Sequence, residues 1–147
     1  MSRIPTNLQT ANRPSTSRQG FQTDAAGDDW LVLLETRANM LVIGSEAATA
    51  AFVHAATPHV RSPVQSVSGG VLPSHLPGDG TLILRNVDAL DGDQQERLLR
   101  WLGEPRHSHT QVISLTTTTL FRRVQAGMFS DRLYYRLNVV HFEVISD

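Results

Sequence analysis

Short apolar runs, each closed by a turn residue and each set between helical patterns, constrain this chain more than any other feature. Met40, Leu41, Val42 and Ile43 form one such run, ended by Gly44. Pro63 to Val67, Thr81 to Val87, Gln111 to Thr116 and Val139 to Ile145 form the others. Between them lie segments with helical spacing. Asp28 or Asp29 can cap a helix through about Arg37, with Trp30, Leu33 and Leu34 on one face. Ala47 to Ala56 is Ala-rich and stops before Pro58. Asp91 or Asp93 starts a helix to about Gly103, with Leu98, Leu99 and Leu102 on its buried face and Trp101 on its flank. Leu120 to Ala126 and Asp131 to Leu137 read as two more helices. Apolar strands alternating with helices predict an α/β fold, a parallel sheet of about five strands with helices on both faces. Ligands of such sheets bind at the carboxyl ends of the strands, here Gly44, Asn86 and Thr116.

The chain has 147 residues, near the modal size of one domain. Residues 1–28 are dominated by Ser, Thr, Asn, Gln, Arg, Gly and Pro. Such a stretch buries too little apolar surface to offset its ordering entropy. It reads as a disordered N-terminal tail, or as a partner-binding arm, ahead of one domain over 29–147. The net charge of -1 excludes a binder driven by bulk phosphate attraction. No run of 18 apolar residues crosses a membrane, and no basic-then-apolar leader opens the chain. Cysteine is absent, so thiolate metal sites are excluded and the cytoplasm is the expected compartment. All 13 basic residues are Arg. No lysine is available for a phosphate-binding loop or a Schiff base.

Several segments resemble the AAA+ domain of sigma-54-dependent transcription activators. LYYRLNVV within Phe129 to Val144 matches that family's F-R-x-D-L-Y-Y-R-L-N-V segment. Gln111 to Phe129 fits its sensor I strand and following helix, and Gly80 to Glu104 its Walker B region. Leu41 to Val53 falls on Walker A, G-E-x-G-x-G-K-E, and Pro63 to Pro73 on the strand after it. The resemblance spans about residues 40 to 145 and implies a compact, degenerate P-loop NTPase-like (AAA+) core. The family's α-helical lid would follow Asp147, so no lid domain is expected here.

The departures fall on the chemistry. Glycines let a phosphate-binding loop bring backbone N–H groups to the phosphates, and its Lys neutralises their charge. The degenerate nucleotide loop here is Gly44, Ser45, Glu46, Ala47, Thr49 and Ala50, with the family glycines falling on Ala47 and Thr49 and the lysine on Ala50. The Walker B acids, needed for Mg²⁺ and for the attacking water, fall on Arg85 and Asn86; Asp88 nearby reads as a turn cap or as a solvent-exposed residue rather than a replacement ligand. Sensor I keeps Thr116 but has Thr117 in place of Asn. Those hydroxyls can hold a ligand, or simply end a strand before an N-capping Thr. Of the family's two finger arginines, one falls on Ser130 and the other is kept as Arg136. Arg136 reads as an arginine finger acting in trans or as a local ion pair with Asp131 or Glu143. Only SHLPGD (Ser74 to Asp79) stands where the family inserts its sigma-contacting G-A-F-T-G-A loop, and no helix-turn-helix segment is present.

His107 and His109 form an i, i+2 pair, but no histidine shows zinc-like spacing, so no metal site is expected. The resemblance therefore implies a module without ATPase activity or catalytic residues, requiring no cofactor. It would act in transcription regulation by binding a protein partner, a sigma-54 activator or another regulator, without contacting DNA directly. Two alternatives stand beside it: an ATP- or ADP-sensing regulator that does not hydrolyse, and one half of a split sigma-54 activator. Oligomeric state is left open.

Overall fold

The computed structural model describes residues 20–25 and 27–146. Six strands form one sheet: β1 (Phe21–Thr23), β2 (Met40–Ile43), β3 (Val64–Ser68), β4 (Thr81–Arg85), β5 (Gln111–Thr116) and β6 (Val140–Ser146). Five α-helices join them: α1 (Asp29–Glu35), α2 (Glu46–Ala56), α3 (Gly92–Leu102), α4 (Leu120–Gln125) and α5 (Asp131–Leu137). The strand order is β1-β6-β2-β5-β4-β3, with every pair parallel except β1 against β6. β2 therefore sits inside the sheet, Met40 level with Ile113 on one side and Val140 on the other.

The period-2 alternation of each strand divides the core in two. Leu41, Leu82, Leu84 and Val112 point to the face covered by α3, α4 and α5, against Leu98, Leu120, Leu133 and Leu137. Met40, Val42, Ile113, Leu115, Phe142 and Val144 point to the face covered by α1 and α2, against Trp30, Leu34, Ala48 and Phe52. Strands buried on both faces must be apolar throughout, which is why β2 reads as an unbroken run.

Two expectations change. The sheet has six strands rather than about five, and its sixth is an antiparallel edge drawn from the segment read as a tail. Phe21 is fully buried, its ring edge-on to Trp30 and to Phe52 at 5.4 Å each. β1 lines up along the free edge of β6, Phe21 opposite Ser146 and Thr23 opposite Val144. Composition misses this because one aromatic side chain and a distant strand edge, not local hydrophobicity, fix the segment. Residues 1–19 of the expected tail lie outside the described residues.

The helix ends follow local chemistry. Asp91 caps α3 in a reciprocal box: its Oδ1 accepts the Gln94 N–H at 2.8 Å, and Gln94 Oε1 accepts the Asp91 N–H at 3.1 Å. Asp28 occupies the N-cap of α1 but makes no side-chain cap bond, and α1 ends at Glu35, before a left-handed Arg37. Gln95 is buried within α3. Its Nε2 donates to the Leu90 and Met128 carbonyls at 2.9 and 3.1 Å, and its Oε1 accepts the Ser130 N–H at 2.8 Å. One amide thus ties α3 to the turn between α4 and α5. Among the described residues, no helix is long and apolar enough to cross a membrane.

Candidate functional site

The carboxyl ends of β4 and β5 and the first turns of α2 enclose a cleft of about 340 Å³. Glu46, Thr49, Ala50 and Val53 line it from α2, Arg85 and Asn86 from the end of β4, and Leu115, Thr116 and Thr117 from the end of β5. Positions 46, 49, 50 and 53 share one helix face by their i, i+3, i+4 spacing. That spacing identifies Val53, which motif reading left out. Leu115 faces the same way as the α2-side core.

Two glycines hold the frame because a side chain does not fit. A Cβ on Gly44 would lie 2.5 Å from the Val144 carbonyl oxygen, so β2 and β6 approach closely where the turn begins. A Cβ on Gly69 would lie 2.1 Å from the Asn86 carbonyl oxygen. Asn86 adopts a left-handed conformation, φ 53°, which Asn tolerates better than most residues. The Gly44 N–H donates to the Thr116 carbonyl at 3.1 Å, joining the ends of β2 and β5.

The turn from β2 into α2 spans only Gly44 and Ser45. Ser45 is the N-cap, and its hydroxyl accepts the Ala48 N–H at 3.1 Å. The Thr49 hydroxyl donates back to the Ser45 carbonyl at 3.0 Å and reaches the Glu46 carbonyl at 3.2 Å. Ala47, Ala48, Ala50 and Ala51 all lie within the helix, whose formation they favour. The segment is a short capped turn rather than an open loop.

At the end of β5, Thr116 Oγ1 accepts the Thr118 N–H at 3.2 Å and donates to the Thr118 carbonyl at 3.1 Å. Its hydroxyl is thus committed within its own turn. Thr119 stands at the N-cap of α4 without a side-chain cap bond. Among the described residues, no carboxylate lies within 4.0 Å of the Arg85 guanidinium. Arg85 is thus a free cation sharing a cleft with the Glu46 carboxylate. Asp88 lies outside this lining, 3.5 Å from the Thr118 hydroxyl.

Arg136 is not brought to the cleft. Its Nη2 donates to the Leu102 carbonyl at 2.7 Å, at the C-terminal end of α3. The expected ion pair with Asp131 or Glu143 does not form: the bare carbonyls ending α3 provide a nearer acceptor. His107 and His109 are separated in role. His107 is buried, stacked on Trp101 at 4.4 Å with Nδ1 2.8 Å from the Trp101 carbonyl, while His109 is exposed.

A protein-family model described as the sigma-54 interaction domain matches residues 38–146. The DNA-binding transcriptional regulator NtrC of Rhizobium meliloti (strain 1021) is 38% identical over 71 residues, covering 42% of this chain and 15% of that protein. NtrC of Salmonella typhimurium (strain LT2) is 35% identical over 75 residues, covering 44% of this chain and 16% of its own length. The chain therefore spans only a small part of the curated relatives it matches. Among solved structures, NtrX from Brucella abortus in complex with ADP superposes with a TM-score of 0.58 at 18% identity, over 83% of this chain and 37% of that one. The P-loop NTPase domain of the sigma-54 transport activator from E. coli superposes with a TM-score of 0.56 at 19% identity, over 74% of this chain and 98% of that domain. The α/β sheet described above is thus of the P-loop NTPase, AAA+ type.

Proposed function

The chain belongs to the sigma-54 interaction domain family, and from that premise we propose that it is a catalytically inactive sigma-54-activator-like module, acting in transcription regulation by binding a protein partner. The observation that carries this reading is Arg85 at the end of β4, lining the strand-end cleft with no carboxylate partner among the described residues. The family's mechanism needs a carboxylate there to hold Mg²⁺. A divalent cation about 4 Å from a guanidinium is repelled by roughly 2 kcal/mol in water, and by roughly 8 kcal/mol at an effective dielectric of 20. The lysine that would neutralise the phosphates is replaced by Ala50, and no lysine exists elsewhere in the chain. The Ala48 N–H, which an open loop would offer to phosphate, is already taken by Ser45. What is left is a stable sheet with exposed surfaces and no equipment for phosphoryl transfer.

The partner in this reading is a sigma-54 activator or another transcription regulator, recognised without direct DNA contact. Mixing the chain with an active sigma-54 activator and following ATP turnover tests both halves of it. The chain alone is expected to give no turnover above buffer, and to change the activator's turnover in proportion to its concentration. Turnover by the chain itself contradicts the inactivity, and an activator unaffected at excess chain contradicts the sigma-54 activator as its partner.

A second reading rests on the cleft persisting at the strand ends. NtrX, which shares the fold, has been solved with ADP and with ATP. In that reading the chain senses ATP or ADP without hydrolysing it.

A further inference from the structure

Asp24, His141 and Glu143 lie outside the strand-end cleft, and no motif singles them out. β6 alternates, with Phe142 and Val144 buried. His141 and Glu143, two residues apart, therefore share the opposite, exposed face. The ladder between β1 and β6 continues past Thr23. The Asp24 N–H donates to the Glu143 carbonyl at 3.1 Å, and the Glu143 N–H donates to Asp24 Oδ1 at 3.1 Å. This holds the Asp24 carboxylate beside the pair, with no further partner for Oδ2 among the described residues. One donor atom from each of the three side chains falls within 4.8 Å of the others.

We propose that Asp24, His141 and Glu143 form a binding site for a divalent transition metal of the Zn²⁺ class. The donor set is one imidazole nitrogen and two carboxylate oxygens, which suits Zn²⁺ or Co²⁺ better than Mg²⁺ or Ca²⁺, whose sites are built from oxygen. Two carboxylates supply the charge that a divalent ion neutralises. Neither is paired with a cation among the described residues. Metal bonds of about 2.0–2.2 Å place tetrahedral ligand atoms about 3.4 Å apart. All three side chains are exposed, which leaves their rotamers free of core packing. Remaining coordination positions are open to water. A cleft of about 320 Å³, which His141 and Glu143 help line together with Phe121 and Tyr134, adjoins them. Residues 1–19 contain no His, Cys, Asp or Glu, so no side chain of the usual ligand types competes from that end. A bound ion clamps β1 to β6 across 117 to 119 positions of sequence, through the edge that Phe21 anchors.

The test is a Zn²⁺ titration of the full, chelator-treated chain by calorimetry, with Co²⁺ absorption as the spectroscopic readout. One saturable site per chain is expected, together with a metal-dependent rise in the thermal midpoint. His141→Gln and Asp24→Asn, the latter keeping the acceptor for the Glu143 N–H, should each weaken binding at least tenfold. His109→Gln should leave it unchanged. Absence of saturable binding, or binding that survives His141→Gln, overturns the proposal.

Discussion

The Ser45 hydroxyl accepts the Ala48 backbone N–H at 3.1 Å, so the turn after β2 satisfies its own helix start. That bond occupies the place where a phosphate-binding loop would leave its donors free. An N-capping Ser contributes about 1 kcal/mol, and Gly at the same position loses only a few tenths. Ser45→Ala is therefore expected to lower unfolding free energy by about 1 kcal/mol and Ser45→Gly by much less, measured by urea denaturation. Equal losses for the two would mean that the hydroxyl does not cap α2.

Gly44 is held where β2 and β6 converge, with no room for a methyl group beside the Val144 carbonyl. Forcing atoms into a packed site costs about 1–3 kcal/mol. Gly44→Ala should destabilise the chain within that range, although Ala is the better residue for the helix that follows. A neutral Gly44→Ala would show that the two strand ends can separate freely.

Gln95 makes three hydrogen bonds from a buried amide. Removing it leaves the Ser130 N–H and two carbonyls without partners. An orphaned buried group, here the Leu90 carbonyl, costs about 1–3 kcal/mol, while the part-buried Met128 carbonyl and Ser130 N–H cost less. Gln95→Leu, close in volume, should therefore destabilise despite adding apolar surface. It should also raise hydrogen exchange at the Ser130 amide before exchange rises elsewhere.

Phe21 is the side chain that anchors β1 in the core, against Trp30 and Phe52. Phe→Ala in a core costs about 3–5 kcal/mol, so Phe21→Ala should lose a stability of that order by denaturant melt. A change within 0.5 kcal/mol, usual for exposed positions, would show that Phe21 does not hold β1 in the core.

Much of the sheet was legible because buried parallel strands are continuous apolar runs. Met40–Ile43 and Gln111–Thr116 have the spans their sequence suggests, and Asp131–Leu137 is the helix that its pattern predicts. β1 was not legible. Its single core residue, Phe21, stands among polar neighbours, and its backbone partner lies at the other end of the chain. The same physics divides the sites. Glu46, Thr49, Ala50, Arg85, Asn86, Thr116 and Thr117 meet in one cleft because strand ends are where an α/β sheet gathers its loops. Arg136 keeps its motif position, and its Nη2 donates to the Leu102 carbonyl, a contact that spacing along the chain does not reveal. Asp24 meets His141 and Glu143 only through the strand edge that composition concealed.

Calorimetric titration of the full chain with Mg²⁺-ATP and Mg²⁺-ADP, at millimolar nucleotide, reads the loss of nucleotide chemistry at the cleft itself. No saturable heat and no shift in thermal midpoint are expected. Saturable binding would contradict that loss, by showing that the cleft beside Arg85 holds a phosphate without lysine.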